Sequence, residues 1–146
     1  MEKISRILLI VTLIVLGAGQ LQAQHSVARQ WNELLLNAIR NDFARPTVHA
    51  RNLFHSAVAM YDCWAVFDER AEPFFLGKER GGYTMNFDTI PAPTDVQAAQ
   101  EEAMSYAMYR LLKHRFRLSP GGFDTEISLN NLMQELGYST SMTSVD

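Results

Sequence analysis

Residues 53–67 constrain the fold of this chain more than any other segment. Of these 15 residues, 12 are apolar or aromatic, and the exceptions are His55, Ser56 and Asp62. The segment follows Pro46, and a proline at the first helical position fixes the backbone without removing a helical hydrogen bond. The pattern predicts a helix over residues 46–67 that is apolar on nearly every side, whereas a surface helix keeps a polar face. We therefore expect this helix to be surrounded by neighbours in a larger helical protein.

Apolar periodicity predicts three further helices, so the expected fold is all-α with about four helices. The first spans residues 26–42 and has Ser26 as its cap. The third spans residues 94–118 and opens with the Thr-to-Gln spacing of a capping box, and the fourth spans residues 123–136. No segment alternates in the way that predicts a β-strand. One apolar stripe of the first helix is formed by Val27, Trp31, Leu34, Leu35, Ala38 and Ile39. In the third helix one face is shared by Val96, Ala99, Ala103, Tyr106, Ala107, Leu111 and Leu118.

Residues 68–93 form a long connection that contains three prolines and three glycines. Connections of this length without structure of their own are uncommon in compact domains. The aromatic residues of this segment indicate that it packs down on the helices. They are Phe74, Phe75, Tyr83 and Phe87.

Residues 1–23 have the pattern of a secretory signal peptide. Lys3 and Arg6 precede an apolar run over residues 7–17, and Ala23 supplies the small residue at the expected cleavage point. The alternative is an uncleaved anchor, but a spanning helix needs about 20 apolar residues. We expect a secreted or periplasmic protein without a stable membrane span after cleavage. Residues 24–146 would then form one helical region of ordinary domain size.

Composition excludes several classes of function. The formal net charge is −3, and the basic residues 113–117 have an adequate explanation at the C-terminal end of a helix, so nucleic-acid binding is not expected. Cys63 is the single cysteine, so no internal disulfide can form, and its apolar surroundings predict a small buried hydrophobe. There is no His-Glu-x-x-His or Cys-x-x-Cys motif, and His49 and His55 are six residues apart and point in different directions, so no metal site is predicted.

The second helix carries a polar stripe that has two interpretations. Arg51, His55 and Asp62 lie along one side of this helix. They could form a binding stripe that faces a pocket, but buried polar groups are more often hydrogen-bonded structural residues. We therefore predict that His55 and Asp62 are buried and hydrogen-bonded. The core residues of this helix are predicted to be Leu53, Ala57, Tyr61 and Trp64.

Two further motifs have structural explanations. Residues 119–122, Ser-Pro-Gly-Gly, superficially resemble a phosphate-binding loop, but they follow a helix and lack the Gly-Lys-Ser/Thr continuation. They predict a helix stop. Glu101 and Glu102 are adjacent and diverge on their helix, so they do not form a general acid and base pair.

Several short segments resemble the N-terminal region of bacterial vanadium-dependent haloperoxidase-like proteins, which belong to the type 2 phosphatidic acid phosphatase superfamily. The similarity covers most of residues 24–146 and is most specific in the second helix. The segments that carry it are Trp31-Asn32-Glu33, Ala38-Ile39-Arg40, Pro46-Thr47-Val48, Ala50-Arg51, Ala59-Met60-Tyr61-Asp62 with Trp64-Ala65, residues 107–116, Ser119-Pro120-Gly121 and Leu136-Gly137-Tyr138.

The resemblance implies that these helices are the N-terminal part of a larger helical bundle. Its full-length members are expected to bind vanadate or phosphate through a Lys with an Arg-Pro motif, a Ser-Gly-His motif, and a final Arg with His. Arg45-Pro46 matches the dipeptide, but Ala38 stands where the lysine is expected, and Ser-Gly-His does not occur. No catalytic, cofactor-binding or metal-binding residue is therefore assigned, and no cofactor is expected in this chain. Whether the parent activity is halide oxidation or phosphate release stays open.

Three interpretations of function follow. The first is a non-catalytic N-terminal scaffold of an exported haloperoxidase-like or phosphatase-like enzyme. The second is a stand-alone exported helical binding module, and the third is a relic without function. The first predicts that the apolar second helix exposes a patch, because three other helices are too few to cover it. Its partners would be the missing C-terminal helices or a second copy of the chain.

Overall fold

The computed structural model describes residues 26–88 and 90–143, and the predicted all-α fold is confirmed. The signal peptide predicted over residues 1–23 lies outside the described residues. None of the described helices is long and apolar enough to cross a membrane. In the part of the chain that the structure describes, the helices are α1 (Val27–Arg40), α2 (Pro46–Ala65), α3 (Val96–Phe116) and α4 (Gly122–Glu135).

A short hairpin interrupts the connection between α2 and α3. Strands β1 (Glu79–Arg80) and β2 (Tyr83–Thr84) pair antiparallel, with Glu79 opposite Thr84 and Arg80 opposite Tyr83. Gly81 and Gly82 join them with φ angles of 59° and 78°, the left-handed conformation that a two-residue hairpin turn requires. The expectation that the chain has no strand was wrong here, because two residues per strand are too few to show an alternating pattern.

Helix α1 has the apolar face that its sequence predicts. The Ser26 side chain accepts a hydrogen bond from the backbone N–H of Arg29 at 3.3 Å and caps the helix. Trp31 is completely buried, and its Nε1 donates to the Oγ of Ser105 on α3 at 3.1 Å. A buried indole N–H needs such a partner. The buried residues of α1 are Val27, Trp31, Leu35 and Ala38.

Helix α3 lies at the centre of the fold and packs against α1, α2 and α4. Its cap is Asp95, whose carboxylate accepts from the backbone N–H of Ala98 at 3.0 Å, so the predicted Thr94 capping box is wrong by one residue. The residues predicted to share one face of α3 are not the ones that the structure buries, because a helix with neighbours on several sides has no single core face. Leu118 is exposed and Val96 largely so, and the buried residues are Met104, Ser105, Met108, Tyr109, Leu112 and Phe116.

The predicted helix stop at residues 119–122 is confirmed, since α3 ends at Phe116 and α4 begins at Gly122. The turn docks on the end of α1, where the backbone N–H of Gly121 donates to the carbonyl of Asn41 at 3.0 Å. A Cβ at Gly121 would lie 2.5 Å from the Cβ of Asn41. Glycine is therefore required here by the close approach of two backbones.

Helix α2 leaves most of its large apolar residues partly exposed. The prediction that Leu53, Ala57, Tyr61 and Trp64 are core residues was wrong: Leu53 is 43% exposed, Tyr61 42% and Trp64 38%, and Ala57 is also exposed. The sequence pattern could not choose between sides of a helix that is apolar all round. The buried positions of α2 are Met60, which joins the core, and four smaller or more polar residues, Asn52, Ser56, Asp62 and Ala65.

Candidate functional site

An open apolar groove lies between α2, α3 and the connection that follows α2. Its volume is about 350 Å³, within the roughly 300–1,000 Å³ of ligand pockets in proteins. Nearly all of its walls are carbon. The residues that line it are His55, Val58, Ala59, Asp62 and Cys63 from α2, Phe75, Leu76 and Met85 from the connection, and Ala107 and Leu111 from α3.

Two contacts between α2 and α3 fix the direction of the groove. Gln100, early in α3, donates through Nε2 to the carbonyl of Trp64 at 3.1 Å, late in α2. Arg115, late in α3, donates to Nδ1 of His55, earlier in α2. The two helices are therefore antiparallel, and the side chains of His55 and Arg115 meet at one end of the groove.

Asp62 holds the outer wall of the groove in place. Its carboxylate accepts three backbone N–H groups: from Phe74, from Phe75 at 2.8 Å and from Leu76 at 3.2 Å. Only 5% of the residue is exposed. The prediction that Asp62 is buried and hydrogen-bonded is confirmed, and its role is to fold the chain after α2 back onto that helix.

The connection packs on α2 only in part. Phe75 and Leu76 line the groove, and the rings of Phe74 and Phe54 meet edge to face at 6.1 Å. Tyr83 and Phe87 are exposed, so the prediction that this segment packs down on the helices holds for its first part and not for these two residues. They belong to the hairpin and the segment after it, beyond the three amides that Asp62 holds.

His55 is half-buried and hydrogen-bonded, which agrees in part with its prediction. Because a guanidinium can only donate, its contact with Nδ1 requires the tautomer with hydrogen on Nε2. Burial of the imidazole lowers the pKa of His55 below 6.5, and the positive charges of Arg115 and Arg51 lower it further. At neutral pH the ring is therefore mainly uncharged and offers one N–H donor.

Cys63 lines the groove as an uncharged thiol. Burial raises its pKa to about 11, and the neighbouring charge of Asp62 contributes to the increase. A thiol is nucleophilic as its thiolate. The prediction that Cys63 is a small buried hydrophobe is confirmed in part, because the thiol is uncharged but the side chain is only half-buried.

Two parts of this site have no local signal in the sequence. Arg51, His55 and Asp62 were predicted to lie on one side of α2, but the contact of Arg115 with His55 was not predicted. That contact joins residues 60 apart in the chain and depends on antiparallel packing. The groove walls contributed by the connection were not predicted either, since the folding back of that segment depends on Asp62.

The basic residues of segment 113–117 contact different parts of the protein. Lys113 pairs with Glu126 at 2.8 Å, and Arg117 contacts His114 at 3.1 Å. Residues 113–117 therefore do not form one basic surface. Within the described residues, no three His, Cys, Asp or Glu side chains are arranged to hold a metal ion.

The residues do not fit the vanadate or phosphate arrangement that the resemblance implies. Arg45 donates to both carboxylate oxygens of Asp42 at 3.2 Å, and Ala38, at the expected lysine position, is buried in the core. Comparison of the chain with protein-family models, with curated proteins and with solved structures gave no match. The resemblance to haloperoxidase-like proteins stays a prediction that rests on the quoted segments.

The charge state of His55 is expected to make stability depend on pH. Its pKa is lowered in the folded chain, so the unfolded chain binds more protons as the pH falls through the ordinary value of 6.5. The contribution of His55 to the free energy of unfolding is therefore present at neutral pH and lost on acidification.

An NMR titration of the imidazole should give a pKa below 6.5, and Arg115→Gln should raise this pKa partway towards 6.5, because burial remains. Arg117→Gln is the control, since Arg117 contacts His114, and an equal shift in both variants would contradict the assignment.

Proposed function

We propose that this chain is a helical scaffold without catalytic residues of its own, and that it packs further helices of an exported haloperoxidase-like or phosphatase-like protein against α2. The surface concerned is the outer face of α2, formed by Leu53, Phe54, Ala57, Tyr61 and Trp64. The observation that carries the proposal is the inverted polarity of this helix. Asn52, Ser56 and Asp62 are buried, whereas Leu53, Phe54, Tyr61 and Trp64 remain partly exposed.

The spacing of the outer face suits a helix as its partner. Leu53, Ala57, Tyr61 and Trp64 follow one another at steps of four, four and three residues, so they form one ridge along α2. Such ridges pack into the grooves of a neighbouring helix. Ala57 lies between the larger residues and lets the partner backbone approach closely.

The energetic reason for covering this face is the hydrophobic effect. Complete burial of one large apolar side chain stabilises a protein by roughly 1.5–3 kcal/mol. Leu53, Phe54, Tyr61 and Trp64 are each between 38% and 49% exposed. Covering all four would therefore contribute a useful part of the ~5–15 kcal/mol that stabilises a typical domain.

The resemblance supports the choice of parent protein. It is specific in the second helix, and its segments at residues 59–62 and 64–65 include two members of the outer face, Tyr61 and Trp64. In the proposed scaffold these residues are packing residues. The anion-binding and catalytic groups would come from the helices that cover them.

The double substitution Leu53→Gln with Trp64→Gln tests this role. We expect the unchanged chain to self-associate and to bind a hydrophobic dye, and we expect the variant to do both less. Its free energy of unfolding should stay within about 1 kcal/mol of the original, since neither side chain is buried in the core. The measurements are light scattering after size-exclusion chromatography, dye fluorescence and urea unfolding.

The matched control is Leu36→Gln with Ile127→Gln, which removes exposed apolar residues from α1 and α4. This variant should associate and bind dye as the unchanged chain does. A monodisperse, dye-silent unchanged chain would argue against the scaffold and favour a stand-alone module.

A further inference from the structure

We propose that the groove between α2 and α3 binds a single-chain amphiphile with a carboxylate head, such as a long-chain fatty acid. The apolar chain would lie along the groove, and the head would lie at its cationic end, formed by Arg51, His55 and Arg115. This site goes beyond the scaffold role, because the groove and the outer face occupy different sides of α2.

The walls of the groove suit an alkyl chain. Val58, Ala59, Ala107 and Leu111 contribute only carbon, and the Cys63 thiol is uncharged at neutral pH because its pKa is raised to about 11. The two oxygens of Asp62 are occupied by backbone N–H groups. The groove spans α2 from residue 55 to residue 63, a distance of about 12 Å at ~1.5 Å per helical residue.

The cationic end suits a carboxylate. Arg51 lies one turn before His55, close enough for its charge to act on the imidazole, and Arg115 contacts the ring directly. Among the described residues, neither arginine forms an ion pair with an acidic side chain. A guanidinium can donate two parallel hydrogen bonds to a carboxylate, and the neutral imidazole adds the Nε2–H donor. Two unpaired cations beside an apolar groove thus complement an anion with an apolar tail.

The volume of the groove and the charge at its end determine which class of amphiphile is expected to bind. A groove of about 350 Å³ lies near the lower end of the roughly 300–1,000 Å³ range of ligand pockets, so it suits one chain better than a two-chain lipid. An alcohol of the same chain length would bury the same carbon but would leave Arg51 and Arg115 without a counter-charge. The carboxylate is therefore expected to bind more tightly than the alcohol.

Titration calorimetry of the full chain with monomeric dodecanoate and with dodecanol tests the proposal. We expect one dodecanoate per chain, and we expect at least about tenfold weaker binding for dodecanol, because charged hydrogen bonds are lost. Arg51→Gln and Arg115→Gln should each weaken dodecanoate binding by about tenfold and leave dodecanol binding unchanged. Arg117→Gln is the control and should bind both as the unchanged chain does.

Two further variants locate the alkyl chain. Ala59→Leu fills the groove without removing a hydrogen bond and should abolish saturable binding, and circular dichroism would show that this variant is folded. Leu53→Gln with Trp64→Gln alters the outer face and should leave binding unchanged. Binding that survives Ala59→Leu, or that is lost with the outer-face variant, would overturn the groove assignment. Equal affinity for dodecanoate and dodecanol would overturn the carboxylate assignment, and neither result depends on the scaffold role of α2.

Discussion

Trp31→Ala is expected to lower the free energy of unfolding by about 3–5 kcal/mol, the range found when a large aromatic residue is removed from a core. Trp31 is completely buried between helices and is the largest fully buried side chain among the described residues. Its loss would leave a cavity beside the Ser105 hydroxyl, to which Nε1 donates at 3.1 Å. Since α1 meets α3 through this contact, we expect the variant to be largely unfolded at moderate temperature. Urea unfolding followed by circular dichroism measures the change.

Two control variants, Trp31→Phe and Leu36→Ala, separate the effect of the indole N–H and the effect of burial on the free energy of unfolding. Trp31→Phe keeps an aromatic ring but removes the indole N–H, so its destabilisation should be smaller than that of Trp31→Ala. Leu36 lies on the same helix with 36% of its surface exposed, and Leu36→Ala should destabilise by less than about 1 kcal/mol. Similar losses in Trp31→Ala and Leu36→Ala would contradict the assignment of Trp31 to the core.

Asp62→Asn is expected to destabilise the chain by about 3 kcal/mol, because hydrogen bonds to a charged acceptor contribute roughly 1.5–3 kcal/mol each. The carboxylate accepts from three consecutive backbone N–H groups, at residues 74, 75 and 76. An amide has only one acceptor oxygen, and its NH₂ group would face N–H donors. The outer wall of the groove should detach before the helices unfold. Hydrogen exchange at Phe74, Phe75 and Leu76 measures this directly.

Asp68→Asn is the matched control for Asp62→Asn. Asp68 lies six residues further on, and it pairs with the exposed guanidinium of Arg70 at 3.3 Å. Exposed ion pairs contribute little to stability. We expect this variant to keep its unfolding free energy within about 0.5 kcal/mol and to leave the three amides protected. Faster exchange at residues 74–76 in the control would show that the wall is held by something other than Asp62.

Local patterns were enough to predict much of the fold. The apolar stripe of α1 includes all four residues that the structure buries there, because α1 packs through one face and the period of 3.6 residues identifies such a face. The glycines at 121–122 indicated a helix stop, and the structure shows that close backbone approach requires them. Asp62 was predicted to be buried and paired because an acidic residue in an apolar helix needs donors.

The candidate site was less predictable, because the residues that contact one another in it are far apart in the sequence. Asp62 was found as a buried polar group, but nothing local indicates that its partners lie 12 to 14 residues away. Arg115 was explained by the end of its own helix, although it contacts His55 on the opposite helix. The residues of each pair were recognised in the sequence, but the contact between them was not predicted.

For the residues that the structure describes, the sequence by itself determined the four helices, the turn between α3 and α4, and the presence of more apolar surface on α2 than three neighbours can bury. The tertiary structure alone decided which side of α2 faces the core. Leu53, Tyr61 and Trp64 are outside and Asn52 and Ser56 are inside, an assignment that hydrophobicity would not make. The physical reason is that periodicity ranks the faces of a helix by polarity, and α2 has apolar residues on all of them. Its orientation is therefore set by contacts that no local pattern contains, chiefly the amides held by Asp62 and the antiparallel packing of α3.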